Sequence, residues 1–266
     1  MAARVINIDF DRILNVALVG VRRASVFMGL GVNAAIDPGF RSFQLSSLTQ
    51  IQLLPDNISD ETIGEFKDEF RLWIEAAGLR ELSEAFAVFL DEVHLAGLLL
   101  QAGRPSPELN ESQLRFRSEG LPNKLNVLRQ RFNVEPKHAD FLVLMSRARN
   151  CLAHRRGLVG PEDLRPGETE LAVRWLGIDF FVEVPDGTRH SLNQIPEGGL
   201  HLPEGGAVKM QFLERVRQFP LHAKLQLSTR DLAEICWFYE HEAKVVIQSA
   251  IQFAQTRGIE VRRIEN

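Results

Sequence analysis

Residues 141–160, FLVLMSRARNCLAHRRGLVG, have an apolar beginning and a strongly basic end. At about 100° per residue, the apolar side chains at positions 141, 144, 145, 148 and 152 fall on one side of a helix. Polar and basic side chains occupy the opposite side. The pattern predicts a helix that buries one side in a bundle of helices, and it concentrates positive charge where this helix ends.

Three polar side chains of this helix, Arg147, Asn150 and His154, recur at spacings of three and four residues and therefore share a side. Arg149 comes before His154 in the chain, and the two side chains are about 140° apart around the axis of an ideal helix. Its long side chain must therefore curl to reach the imidazole, or must meet the imidazole of a partner molecule. Arginine offers a planar pair of donors to phosphate oxygens, and histidine exchanges protons near neutral pH. The helix end is thus a candidate phosphate site.

The overall composition is that of an ordinary globular protein. The chain has 266 residues, of which 45% are hydrophobic and 25% are charged, and its formal net charge is −4; these values predict a folded protein with a sizeable core. They exclude a protein that coats polyanions through its overall charge, so contact with nucleic acid requires a local basic patch.

Cysteine usage and the N-terminal segment bear on localisation. The two cysteines, Cys151 and Cys236, are too few for a disulfide framework and favour a reducing compartment. Charged residues interrupt the apolar pattern of residues 1–29, which predicts a partly buried helix in place of a signal sequence or a membrane span. We therefore expect a cytoplasmic protein without a membrane partner.

Further amphipathic patterns predict a mainly α-helical chain. One helix is expected to begin after Ser59, with Gly78 marking a stop or a bend. A later pattern is interrupted by Gly120 and Pro122, so we expect a break there and a better helix from about Pro122. A long final helix is expected from residue 228. Packed together, these helices would form a bundle.

A β-rich segment precedes the final helix. Residues 170–192 alternate in polarity and contain Asp186-Gly187 as a turn signal, which predicts a β-hairpin, and residues 208–219 could return as another strand. We therefore divide the chain into an N-terminal helix with an irregular connector and a possible short strand, a helical core, a β-rich insertion, and a final core helix with its tail. The respective ranges are 1–58, 59–160, 161–227 and 228–266.

Residues 149–154, RNCLAH, match the R-x4–6-H motif of HEPN domains, in the form in which a polar residue directly follows the arginine. The surroundings are similar too, because an apolar helix leads into the motif and a late helix closes the chain. The resemblance covers roughly residues 60–160 and 225–257. It implies a HEPN-like helical bundle that forms a homodimer with two motifs facing a shared cleft and, in active members, cleavage of RNA without a metal ion.

Such cleavage requires a base for the 2′-hydroxyl proton, stabilisation of charge on the phosphate, and an acid for the leaving 5′-oxygen. We assign His154 as general acid or base, Arg149 as the phosphate ligand and Asn150 as the orienting residue. One histidine is insufficient for both proton transfers, so a homodimer would supply the second His154. The residues expected to bind RNA around the motif are Arg147, Arg155 and Arg156.

The resemblance implies an endoribonuclease that acts as a toxin or an antiviral-defence effector, with RNA as its substrate and an antitoxin or regulatory protein as a further candidate partner. No cofactor and no metal ion are expected. Two alternatives stay open. Cationic residues at a helix C-terminus interact favourably with the helix dipole, by about 0.3–1 kcal/mol each, so the basic end could be a solvated cap. A HEPN-like domain could also bind RNA or protein without cleaving it.

Two other groups of reactive residues are weaker candidates. Cys151 precedes His154 by three residues, but it flanks the apolar side of the helix, so we expect a core cysteine and not a nucleophile. Asp91 and His94 form a D-x-x-H pattern without a second copy. We therefore expect a pair satisfied by neighbouring side chains and not a di-metal site.

Overall fold

The computed structural model describes residues 7–40, 58–193, 199–203 and 205–261. Most of these residues are helical, and a small antiparallel sheet precedes the last helix. The predicted mainly α-helical chain with a small β-rich segment is therefore confirmed. The elements are α1 (Phe10–Ile36), α2 (Asp60–Ala102), α3 (Pro107–Arg117), α4 (Leu121–Phe132), α5 (Ala139–Arg155), a 3-10 turn (Pro161–Asp163), β1 (Glu170–Glu183), β2 (Arg189–Ser191), β3 (Ala207–Pro220) and α6 (Thr229–Thr256).

Helix α2 runs without interruption for 43 residues. It begins where expected, because the Ser59 side chain accepts a hydrogen bond from the backbone N–H of Thr62. The predicted stop at Gly78 is wrong, because the helix continues through this residue. A Cβ atom at position 78 would lie 2.2 Å from Sδ of Met28 in α1, so this glycine allows close packing between two helices and does not end one.

Helices α1 and α2 pack antiparallel at unusually short range. A Cβ atom on Gly20 would lie 2.0 Å from Cβ of Ala85, and one on Gly31 would lie 2.6 Å from the side chain of Ile74. Helix α1 buries Ala17, Val21 and Ala24 among other residues, which confirms the partly buried N-terminal helix. Small residues at the contact let the two backbones approach each other closely.

By length and composition alone, α1 and α2 could each cross a membrane. This differs from the expectation that charged residues leave the N-terminal segment without an apolar stretch long enough to span a membrane. Core helices of soluble proteins meet the same criterion, and localisation in the cytoplasm stays a prediction. The connector predicted before α2, with its possible short strand, lies from residue 41 to residue 57 outside the described residues.

The sheet has the strand order β2-β1-β3 and is antiparallel throughout. The predicted hairpin is confirmed: Gly187 has a φ of 87°, and Asp186 Oδ1 accepts a hydrogen bond of 2.7 Å from the backbone of Thr188. The predicted return strand is confirmed as β3, which pairs with β1 from Glu170 opposite Pro220 to the other end. Residues of β1, among them the fully buried side chain of Trp175, join the same hydrophobic core as the helices.

The other helix boundaries depend on local capping chemistry. The expected break near Gly120 is confirmed, because α3 ends at Arg117 and α4 begins with Pro122 in its first turn. Helix α6 begins with a capping box in which Ser228 Oγ accepts from the N–H of Asp231 at 3.1 Å, while Asp231 Oδ2 accepts from the N–H of Ser228 at 3.0 Å. These caps fix where α6 starts beside α1, α2 and β1.

Candidate functional site

Helix α5 buries the apolar side that its sequence predicts. Five side chains that were expected to face the bundle are all buried, namely Phe141, Leu144, Met145, Ala148 and Leu152. The helix ends at Arg155, and the next residue, Arg156, adopts a left-handed conformation with a φ of 51°; Gly157 follows with a φ of 77°. Because the apolar side is held in the core, the polar residues of the last two turns point towards the surface or the edges of the helix.

Arg147 and Arg155 are engaged by the segment that comes after the helix. Arg147 Nη2 donates to Glu168 Oε2 at 2.7 Å and also to the carbonyl oxygen of Asp163. Arg155 Nε donates to Asp163 Oδ2 at 2.9 Å, and its Nη2 donates to Oδ1 of the same carboxylate. The hydrogen bond with Asp163 raises the pKa of Arg155 above its ordinary value. A role in RNA binding stays a prediction for both arginines, but their charges already have carboxylate partners.

Arg149 is placed differently. It is partly buried, and its Nε is fully buried without a hydrogen-bond partner in the described part of the chain. It lies close enough to Tyr239 of α6 for its positive charge to act on the phenol, whose pKa burial raises to about 12. The Tyr239 hydroxyl is 3.2 Å from Oγ of Ser83 in α2. Arg149 therefore lies near the point where α5, α2 and α6 meet, and one of its donors is buried there without an acceptor among the described residues.

His154 and Arg156 are exposed, and Asn150 is half-buried. Among the residues that the structure describes, none of these three side chains has a hydrogen bond or an ion pair. No hydrogen bond or ion pair links them to Arg149 either. The last turns of α5 thus present one titratable group, one amide and two guanidinium groups that a ligand could contact.

The arrangement agrees only partly with the predicted site. Arg149 turns towards α2 and α6, whereas His154 lies about 140° further around the helix. Of the three residues predicted to share a side of the helix, Arg147, Asn150 and His154, Arg147 is paired with Glu168. One molecule therefore presents Arg149 and His154 on different sides of the same helix end.

A groove of about 630 Å³ runs between α2 and the end of α5. Its α5 side includes Ala153 and Arg156, and its α2 side includes Trp73, which is 65% exposed. In the sequence, Trp73 has the same helical spacing as its apolar neighbours, and this spacing favours a core position. The spacing alone therefore does not indicate that Trp73 is exposed. Its spacing of seven and eleven residues from Arg80 and Glu84 places it on the charged side of α2, a signal that could have identified it.

The remaining candidates behave as structural residues. Cys151 is fully buried, and burial raises the pKa of its thiol to about 12, so the expected core cysteine is confirmed. Asp91 pairs with Lys124 at 2.7 Å, and Nδ1 of His94 lies 2.6 Å from Oε1 of Gln113. The expectation that both are satisfied by neighbouring side chains is confirmed. Within the described ranges, no group of three or more histidine, cysteine or acidic residues could hold a metal ion.

Comparisons with protein-family models, with curated proteins and with solved structures find no match for this chain. The resemblance to HEPN domains therefore rests on residues 149–154 and on the helices around them.

Proposed function

We propose that this protein is a metal-independent endoribonuclease of the HEPN type, acting as a toxin or an antiviral-defence effector. Arg149 stabilises the scissile phosphate, His154 transfers protons, and Asn150 orients one of the two. The observation that carries the proposal is the guanidinium group of Arg149, which has no hydrogen bond or ion pair in the described part of the chain and whose Nε is buried without an acceptor. Nη1 of Arg147 is likewise buried without an acceptor, but Arg147 pairs with Glu168 through Nη2. Buried donors without an acceptor are rare in folded proteins, and a phosphate oxygen is a strong acceptor for a guanidinium group.

The pairing of the neighbouring arginines supports this choice. Arg147 and Arg155 each have a carboxylate partner, so the helix end is not simply a row of solvated charges on a helix cap. Arg149 and Arg156 lack such a partner among the described residues and remain available to phosphate. His154 is exposed, and its side chain can exchange protons with a bound ribose.

A homodimer is part of the proposal. In one molecule Arg149 and His154 lie on different sides of α5, so the histidine of a second copy would complete the site and would provide the second proton transfer. Helix α1, which packs on α2 and α6 and does not form the site, also exposes apolar surface of the kind found at contacts between protein chains, since Val26, Phe27 and Leu30 are between 55% and 67% exposed. An antitoxin or another regulatory protein is a further candidate for the same surface.

A second candidate function is a non-catalytic subunit that binds RNA or protein. One observation favours it: no described residue holds the ring of His154 in a fixed orientation, whereas catalytic histidines are usually oriented by a hydrogen bond. The two candidates differ in turnover, because a binding subunit retains RNA without cleaving it.

The test is incubation of the purified chain with mixed tRNA and single-stranded RNA in EDTA, with subsequent analysis of product ends. We expect cleavage with 2′,3′-cyclic phosphate ends in the wild type, and losses of about a hundredfold or more in the rate for His154→Ala and Arg149→Ala. Arg174→Ala is the matched control, because Arg174 is exposed on β1 and no ion pair of it is found in the described structure. RNA that stays intact but bound would contradict the enzyme and support the binding subunit.

A further inference from the structure

The groove between α2 and α5 is large enough to hold a small molecule such as one nucleotide. Its volume of about 630 Å³ lies within the range of small-molecule sites. It borders the candidate site directly, because Ala153 lines the groove and His154 is the next residue in the chain. A strand held at the motif could therefore place a neighbouring base in this groove.

Trp73 provides an aromatic surface in the groove. Its indole stacks on Phe70, with ring centroids 6.3 Å apart and planes 17° from parallel, and the residue stays 65% exposed. Unpaired RNA bases are commonly held by stacking on such rings. Bases in a duplex are stacked on each other and are not free for this contact, so the groove fits a single strand.

The charges of the groove are divided between internal pairs and two groups that are left over. Glu84 pairs with Arg80 at 2.8 Å, and Glu81 pairs with Arg23 at 3.2 Å. The other charged residues that line the groove are Glu69 on α2 and Arg156 on α5. Neither has an ion pair or a side-chain hydrogen bond within the described ranges. The groove therefore presents one free carboxylate and one free guanidinium group from opposite walls.

A carboxylate only accepts hydrogen bonds, and this property distinguishes the four bases. Guanine presents two adjacent donors, N1–H and the N2 amino group, which match the two oxygens of one carboxylate. Adenine and cytosine each place a ring acceptor beside their amino donor, and uracil flanks its single N–H with two carbonyl oxygens. Guanine is therefore the base that the free carboxylate would select.

We infer that this groove binds a guanine base of single-stranded RNA, with Trp73 stacking on the base, Glu69 accepting its N1–H and N2 amino protons, and Arg156 binding an adjacent phosphate. The inference takes RNA as the ligand from the proposed function, and it adds a base preference to that function. It involves binding only and does not depend on how His154 transfers protons.

The test measures binding to short single-stranded oligouridine RNAs that carry one central guanosine, inosine or adenosine. Fluorescence polarization in EDTA, with the full chain carrying His154→Ala to prevent cleavage, gives each dissociation constant. We expect guanosine to bind about tenfold more tightly than adenosine. Inosine, which lacks the N2 amino group, should lose part of this preference.

Two variants test the assigned contacts. Glu69→Gln should remove the preference for guanosine, because the amide presents a donor beside its acceptor. Trp73→Ala should weaken the binding of all three RNAs by about tenfold. Glu65→Gln is the matched control, since Glu65 is exposed one turn earlier on α2 and does not line the groove.

Equal affinity for guanosine and adenosine, or a preference that survives Glu69→Gln, would overturn the inference. Cleavage in EDTA without a base preference would leave the proposed function standing and reject the guanine site. A guanine preference without cleavage by the wild type would do the opposite and would favour the binding subunit.

Discussion

Arg155 and Asp163 form a two-point ion pair that ties the turn after α5 to the last turn of that helix. Nε of Arg155 lies 2.9 Å from Oδ2 of Asp163, and Nη2 bonds the other carboxylate oxygen. Asp163 Oδ2 also accepts from the backbone N–H of Gly160 at 2.9 Å. The carboxylate is almost fully buried, at 2% exposure. The pair thus fixes the chain next to the candidate site and neutralises one arginine of the basic motif.

Replacement of Asp163 by asparagine should destabilise the protein strongly. The change removes the buried carboxylate partner of Arg155 and leaves only the exposed Glu162, and we expect a loss of about 2–4 kcal/mol in the free energy of unfolding. Urea denaturation measures the loss. Glu162→Gln is the control, because Glu162 contacts the same arginine at 3.3 Å but is 55% exposed; it should cost less than about 1 kcal/mol. Equal losses of unfolding free energy in the two variants would show that the burial of Asp163 does not strengthen its ion pair with Arg155.

The short contact between α1 and α2 predicts opposite effects for two glycines of α1. Gly20→Ala would place a methyl group 2.0 Å from Cβ of Ala85, so the helices must move apart, and we expect a loss of about 1–3 kcal/mol. Gly29→Ala meets no atom within 4 Å and should gain about 0.5–1 kcal/mol from higher helix propensity. Thermal or urea unfolding of both variants checks the difference. A gain at position 20 would contradict the packing of α1 on α2.

Glu75 should make stability depend on pH in the direction opposite to most carboxylates. Its side chain is fully buried beside Arg71, and burial raises its pKa above the ordinary value of 4.5. The folded state therefore holds the proton at pH values where the unfolded state has released it. Stability from this group is present below pH 4.5 and is lost as the pH rises through the folded pKa.

Glu75→Gln removes this titration while it keeps the shape of the side chain. We expect the free energy of unfolding of the wild type to fall relative to the variant between pH 4.5 and neutral pH. Urea denaturation at a series of pH values gives the two curves. Parallel curves would mean that Arg71 keeps the carboxylate ionised throughout.

Features that depend on local periodicity could be predicted from the sequence, whereas features that depend on distant partners could not. The buried side of α5 belongs to the first kind, because its apolar residues repeat at helical spacing. The pairing of Arg147 with Glu168 belongs to the second, because the glutamate lies 21 residues further on, in a segment without regular spacing. The stop predicted at Gly78 is wrong for a similar reason, since the side chain that requires a glycine there is Met28, fifty residues earlier in the chain.

The difference between a paired and a free arginine gives a further prediction about adjacent residues. Arg156 is exposed and has no ion pair in the described structure, whereas Arg155 is held by Asp163. Arg156→Gln should weaken single-stranded RNA binding and reduce the slope of log affinity against log salt by about 0.7, the contribution of one phosphate contact. Its effect on thermal stability should be small.

Arg155→Gln should lower the melting temperature and leave the salt slope unchanged. The reason is that it leaves the buried carboxylate of Asp163 without its cation. Fluorescence polarization over a range of salt concentrations, with His154→Ala in both proteins, measures the slopes, and thermal unfolding measures the stabilities. An equal reduction of the slope in both variants would show that RNA draws Arg155 away from Asp163. The predicted RNA contact of Arg155 would then hold, and the ion pair would be a contact that opens when the substrate binds.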